Sequence, residues 1–196
     1  MPFLTAPVLP AGTLSSRPQP RLPTTDGLLL RPFEAGDVPA VHAVFQDPVI
    51  HRWHLRAARS LEEAGEWVEE WRGQWSGERN AQWAVVDAGT DVLLGRVALR
   101  EIVLGDGLAE MAYWTAPEAR RRGVAARATA VLSRWALDEV GFHRLELQHA
   151  TANGASCRVA AKAGFTLEGT RRGAGLHTDG WHDMHLHARV QGDPAP

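Results

Sequence analysis

Tyr113-Trp114-Thr115-Ala116-Pro117-Glu118-Ala119-Arg120-Arg121-Arg122-Gly123-Val124-Ala125 is the stretch that decides how this chain folds. Leu108 to Thr115 reads as a strand that Pro117 stops. Beyond the turn, Val124, Ala128, Val131, Leu132 and Trp135 recur at helical spacing, a stripe that ends near Gly141. The helix therefore starts at a glycine directly after a tight turn. A helix start offers unpaired N–H groups and a partial positive charge, which together suit a phosphate. Gly123 and Ala125 let an anion come close to those amides, and Arg120, Arg121 and Arg122 add permanent charge. The same arginine run also fits a solvated basic turn. No Gly-Lys-Ser/Thr follows, which excludes the phosphate loop of nucleotide hydrolases, and a single glycine excludes the dinucleotide fingerprint.

Upstream, Gly27 to Pro32 reads as a short strand with which order begins, and Asp37 to Phe45 as a helix. Ser60-Leu61-Glu62-Glu63 has the pattern of a capping box opening a helix that carries Trp67, Trp71 and Trp75 on one face. Core packing explains that stripe; the wall of an apolar pocket is the alternative. Gln82 to Val86 and Val92 to Leu104 read as strands separated by a turn at Gly89. Downstream, Arg144 to Gln148 alternates like a strand, Asn153 caps a short helix that Gly164 can stop, and Phe165-Thr166-Leu167 returns to strand. Trp181 to Val190 is the last strand, with Asp183, His185 and His187 on one face. Residues 1–26 hold six of the 12 prolines and read as an extended arm, free or docked along the domain or a second subunit; residues 27–196 form one domain.

The 196 residues carry 21 basic and 23 acidic side chains, a balance that predicts no nucleic-acid or membrane partner. Lys162 is the only lysine, so the positive charge is almost wholly guanidinium. Cys157 is the only cysteine, which excludes an intramolecular disulfide and a multi-cysteine zinc site. The start of the chain lacks a signal-peptide pattern and no apolar run approaches the roughly 20 residues of a membrane span. A cytoplasmic protein is the expectation.

A second block supports the first: Asn153-Gly154-Ala155-Ser156-Cys157-Arg158-Val159-Ala160-Ala161-Lys162-Ala163-Gly164-Phe165-Thr166-Leu167-Glu168-Gly169. Together with Arg-x-x-Gly-x-Ala at 120–125, the sequence resembles the GNAT N-acyltransferase superfamily. The Asn-x-x-Ser, Lys-x-Gly-Phe and Glu-Gly elements are similar to the branch of ribosomal-protein alanine N-acetyltransferases. So are Gln46-Asp47-Pro48, the helix start at Ser60 and the terminal Asp179-Gly180-Trp181-His182-Asp183. The resemblance spans residues 27 to 190 and implies an α/β fold. Its single mixed, mostly antiparallel sheet would hold a central parallel strand pair that splays apart, flanked by about four helices.

The resemblance also implies a chemistry, direct acetyl transfer from acetyl-CoA to a primary amine on a protein N-terminus or a small molecule. Tyr113, Trp114 and Thr115 would face the pantetheine arm, with the thioester carbonyl polarised by a main-chain N–H at Trp114 or Thr115. Arg120, Arg121, Arg122, Gly123, Val124 and Ala125 would hold the pyrophosphate, and Asn153 would contact pantetheine. The attacking ammonium must lose a proton and the leaving thiolate gain one. Glu110 and Glu146 are the candidate bases, or else structural carboxylates paired with arginines such as Arg144. Where relatives carry a tyrosine acid this chain has Ala160, which leaves Ser156 as the acid or as a simple helix cap. Some relatives carry a glutamate where this chain has Gly175. Trp53 and His54, placed in the loop before the tryptophan helix, are the candidate acceptor contacts.

Alternatives are a non-catalytic acyl-CoA-binding module and transfer of a larger acyl group such as succinyl. An enlarged cavity near Trp114 would mark the latter. An acyl-cysteine at Cys157 is disfavoured because no histidine lies close in sequence, and an inert thiol is expected. His177, His182, His185 and His187 are read as a solvent-facing strand, with no metal expected. A homodimer is left open.

Overall fold

A computed structural model describes residues 4–194. Eight strands form one sheet in the order β1-β2-β3-β4-β5-β6-β8-β7. They are β1 (Leu22–Pro23), β2 (Leu28–Arg31), β3 (Ala81–Asp87), β4 (Leu93–Val103), β5 (Leu108–Thr115), β6 (Arg144–Ala150), β7 (Thr166–His177) and β8 (Gly180–Val190). Every neighbouring pair is antiparallel except β5 and β6. Five α-helices accompany the sheet: α1 (Val38–Val44), α2 (Pro48–Trp53), α3 (Leu61–Gly73), α4 (Val124–Arg134) and α5 (Gly154–Lys162). Parallel neighbours need a crossover, and α4 with its π-helical extension Trp135–Val140 supplies it between β5 and β6. Gly141 ends that crossover in the left-handed region at φ 96°, a conformation that glycine adopts without steric cost.

The parallel pairing runs only from Leu108↔Arg144 to Met111↔Leu147. Both strands continue past it, β5 to Thr115 and β6 to Ala150, while β6 stays paired with β8 as far as Ala150↔Met184. The sheet is therefore open between Ala112–Thr115 and Gln148–Ala150, a wedge at the C-terminal ends of two parallel strands. On one side of it α4 packs Val124, Ala128, Leu132 and Trp135 into the core. α1 and α3 pack on each other, with Val41, Val44, Ala64, Val68 and Trp71 buried.

Several elements differ from the sequence expectation. α2 occupies what reads as a loop, because Asp47 accepts from the Val49 amide at 2.6 Å and Pro48 fits the first helical position. At α3 the Ser60 hydroxyl does accept from the Glu63 amide at 3.1 Å, but the Glu63 carboxylate reaches back to Arg59 N–H instead of Ser60. β7 runs much further than Leu167, and order begins well before Gly27.

From Val8 onward the proline-rich segment is docked on the domain. Leu14 and Leu9 are buried, and Val8 and Leu9 donate to the carbonyls of Gly105 and Leu104. Trp75 and Trp83 donate their indole N–H groups to Arg17 and Pro20 carbonyls at 2.8 and 2.9 Å. Glu78, itself left-handed at φ 54°, accepts the amides of Gly12, Leu14 and Ser15 at 2.7 to 2.9 Å. Prolines remove backbone donors from this segment, and side chains of the domain satisfy much of what is left. Among the described residues, no helix is long and apolar enough to cross a membrane.

Candidate active site

The turn after β5 leads into α4 through an open stretch of backbone. Arg121 and Gly123 both take positive φ, 62° and 75°, and no side chain caps the start of α4 at Gly123. Successive amides from Arg121 to Ala125 thus surround an open helix start, a backbone arrangement that favours anions. Arg121, Arg122 and Gly123 are exposed, and neither arginine has an ion-pair partner among the described residues. Arg120 departs from the reading that all three charges face a phosphate. Its guanidinium is held by Asp47 at 3.1 Å, so it ties the cradle to the start of α2. Burial opposes ionisation of Asp47, but Arg120 and the Val49 amide outweigh it and hold the carboxyl below its ordinary value.

Backbone direction in the wedge follows from one bond. Ala116 N–H donates to Leu94 O at 2.9 Å, and strand residues alternate the side to which they point N–H and C=O. The amides of Ala112 and Trp114 therefore face β4, and those of Tyr113 and Thr115 face the gap toward β6. Trp114 is excluded as a main-chain donor into the wedge. Its side chain is buried edge-on against Phe45, with ring centroids 5.9 Å apart.

A cavity of about 680 Å³ adjoins the wedge, and Glu110, Tyr113, Asn153, Ser156, Trp53 and His54 all line it. Trp67 and Trp71 line it too, whereas Trp75 is buried against Trp83 and Trp135; the stripe splits between wall and core. Trp53 closes α2 and His54 caps its C-terminus, so both sit on a helix end and not in a loop. Trp53 meets His177 and His182 of the β7–β8 hairpin edge-on at 5.7 and 6.5 Å. Burial, helped by Arg96 and Arg100, pushes His54 down to about 4, so its imidazole is neutral at pH 7.

The two glutamates face each other across the parallel pair, Glu110↔Glu146, but in different settings. Glu110 opens to the cavity, its only side-chain partner among the described residues being Gln148 at 3.4 Å. Burial raises its pKa above the ordinary carboxylate value. Glu146 is clasped by Arg144 at 2.9 Å, and Arg144 also grips Glu168. Glu146 is not among the residues that line the cavity.

On α5, Asn153 Oδ1 accepts the Ser156 amide at 3.1 Å, which leaves the amide NH₂ of Asn153 to donate elsewhere. The Tyr113 hydroxyl lies 3.5 Å from Ser156 O, and burial pushes it up to about 12. At Gly175 a Cβ would collide with the Met184 sulfur, so Met184 fills the space beside that glycine.

Two features escape a sequence reading. Arg96 lines the cavity with its Nε buried and unpartnered, its guanidinium 5.3 Å from the Trp71 ring. Burial and then Arg100 push it down to about 9, still a cation at pH 7. The second feature corrects the solvent-facing reading of β8: His187 is 2% exposed, and His185 and His187 pack with His149 on the face covered by α5. Burial holds His149 and His187 below the ordinary imidazole value.

Comparison with known proteins agrees with this geometry. Residues 27–166 match the acetyltransferase (GNAT) domain family. The uncharacterised N-acetyltransferase YoaA of Bacillus subtilis is 27% identical over 149 residues, 76% of this chain and 84% of the relative. Among solved structures, RimL, a ribosomal L7/L12 α-N-protein acetyltransferase in complex with coenzyme A, superposes with a TM-score of 0.81 at 19% identity, covering 89% of this chain and all of that one (100%). A Vibrio fischeri ribosomal-protein-S5-alanine acetyltransferase gives 0.79 at 18% identity, covering 91% and 100%. At these identities the structural likeness establishes the fold, and the family match carries the activity. The wedge, the cradle and the matched residues have one meaning: the chain is an acyltransferase and belongs to the acetyltransferase (GNAT) domain family.

Proposed function

We propose that this protein transfers an acetyl group from acetyl-CoA to a primary amine by direct attack. The observation that carries the reading is a succession along β5: a cavity lined by Glu110 and Tyr113, a backbone wedge beyond the last paired residues, and an uncapped helix start at Gly123. The pyrophosphate sits on the amides of residues 121–125, flanked by Arg121 and Arg122. Pantetheine enters the wedge, where Thr115 N–H pairs with it and the Asn153 NH₂ donates to it. Tyr113 N–H, the first gap-facing amide beyond the last paired residue, is aimed at the thioester carbonyl. A fixed donor of this kind stabilises the oxyanion without reorganising in the transition state.

Glu110 takes the proton from the incoming ammonium. The neutral amine attacks the thioester carbon, the C–N bond forms, and the C–S bond breaks to give the amide and the CoA thiolate. A proton from Ser156, or from solvent relayed by it, completes CoA–SH, and the proton that the amine nitrogen sheds as the C–S bond breaks restores the donor. Trp114 is packed against Phe45 and is not among the residues that line the cavity, which favours acetyl over succinyl.

The names of RimL and the Vibrio fischeri enzyme favour a protein N-terminal α-amine as acceptor. Arg96 refines this. A half-buried cation without a carboxylate partner among the described residues is costly unless a ligand compensates it, so the fitting acceptor carries a carboxylate close to its amine. The test is thiol release from acetyl-CoA across N-terminal peptides with and without an acidic second or third residue, with amino acids and polyamines alongside. The reading expects turnover that favours acidic peptides, with Arg96→Met raising their KM selectively. No CoA release with any amine would replace it with the non-catalytic acyl-CoA-binding module.

A further inference from the structure

The face of the sheet covered by α5 holds a second constellation to which the proposed acetyl transfer gives no role, although one member, His149, also lines the cavity. His149 on β6, His185 and His187 on β8 and Cys157 on α5 each bring one ligand-capable atom to a common point, all within 4.8 Å of one another. The residues come from three elements, and each is at least partly buried.

The tautomers make this more than proximity. His149 Nδ1 lies 2.9 Å from the Ala150 carbonyl, which can only accept, so Nδ1 carries the proton and Nε2 carries a lone pair. That lone pair points at His187 Nε2, 3.1 Å away. If His187 Nε2 is protonated it donates there, and His187 Nδ1 is left a bare buried acceptor. If Nδ1 is protonated instead, two lone pairs oppose each other and Nδ1 is a buried orphan donor. His187 Nδ1 makes no hydrogen bond of good geometry in either case, although the Phe165 backbone lies beside the ring, and His185 Nδ1 is likewise buried and unpartnered. Neutral imidazoles alone leave the cluster unsatisfied, whereas a cation between the nitrogens uses the converging lone pairs. A backbone carbonyl fixing the non-ligating nitrogen of His149 is the usual outer support of a metal-bound histidine.

We propose that His149, His185, His187 and Cys157 form a closed tetrahedral site for a borderline-soft divalent metal of the Zn²⁺ class. Three imidazoles and one thiolate are the ligand set such ions select over magnesium or calcium. Tetrahedral ligands at zinc distances stand about 3.3–3.6 Å apart, so the His149–His187 pair is already nearly right and the widest pair closes by about 1 Å. Binding converts Cys–SH and M²⁺ into a metal thiolate and releases one proton. With four protein ligands no position remains open, so the ion is structural. It pins the first turns of α5, which carry Asn153 and Ser156, to β6 and β8.

Cys157 is the only thiol in the chain, which makes the test direct. The full-length protein, stripped of metal, is titrated with Co²⁺ and with Zn²⁺. The proposal expects one Co²⁺ per chain, with intense tetrahedral d–d bands and a near-ultraviolet thiolate charge-transfer band. Cys157→Ser should abolish the charge-transfer band, and His187→Asn should weaken binding at least tenfold. A measurement on the unaltered protein covers the case in which a variant fails to fold. Zn²⁺ should slow alkylation of Cys157 at least tenfold, and a chelator should restore the rate. Absence of stoichiometric binding, or binding that leaves the thiol's spectrum and reactivity unchanged, overturns the proposal.

Discussion

Glu110 is the residue on which the chemistry of this account rests. Burial lifts its pKa toward the working pH, which is what a general base needs. Glu110→Gln should lower kcat about 10²- to 10³-fold with little change in acetyl-CoA affinity. In the native enzyme kcat/KM should fall as pH drops through the raised Glu110 pKa, because only the carboxylate can accept a proton. That acidic limb should therefore lie above the 4.5 of an ordinary glutamate and vanish in Glu110→Gln. Glu146→Gln should leave turnover intact and cost about 0–1 kcal/mol of stability, measured by urea unfolding, since its pair with Arg144 is partly exposed. The two residues occupy equivalent register positions on adjacent strands, so spacing alone treats them alike. What separates them is Arg144, two residues before Glu146 on the same face, against the open cavity in front of Glu110.

At the scale of elements, α2 links the two halves of the site. Asp47 caps its N-terminus and holds Arg120 of the cradle, while Trp53 and His54 at its other end line the cavity. Asp47→Ala should weaken CoA binding and raise the acceptor KM together, at a stability cost of about 1 kcal/mol from the lost cap. Steady-state kinetics in both substrates would detect that joint shift, and a change in only one would refute the link. The docked N-terminal segment gives a second prediction. Glu78→Ala leaves three arm amides unpartnered and should cost about 1–3 kcal/mol, with proteolytic cleavage near Gly12 accelerated before the domain unfolds. Burial raises the pKa of Glu78, but the three amides outweigh it and hold the carboxyl below its ordinary value near 4.5. Its hold on the arm is thus complete above that pH and is lost as pH falls through the lowered pKa. α2 and the docking of the arm were the elements hardest to read. A six-residue helix has too little periodicity to register, and a proline-rich segment without its own core shows no sign of the Glu78 carboxylate that holds it.

For the whole molecule, the strand–turn–helix at 113–125 and the block at 153–169 place the sheet, the parallel pair and the wedge through the family resemblance that they carry. Each has a local cause: proline stopping a strand, glycine starting a helix, asparagine capping another. Arg96 and the histidine–cysteine cluster were not legible, because their partners lie on separate strands and meet only through packing. Lys162 and the arginine bias gained no structural role. The central claim is that acetyl-CoA occupies the wedge with its pyrophosphate on the amides around Gly123, whose φ of 75° disfavours any β-branched side chain. Isothermal titration of acetyl-CoA into the native protein and into Gly123→Val, with folding of the variant checked by circular dichroism, tests it most directly. The account predicts one site per chain and an affinity about tenfold or more weaker in the variant; no binding to the native protein, or equal affinity in a folded variant, would contradict it.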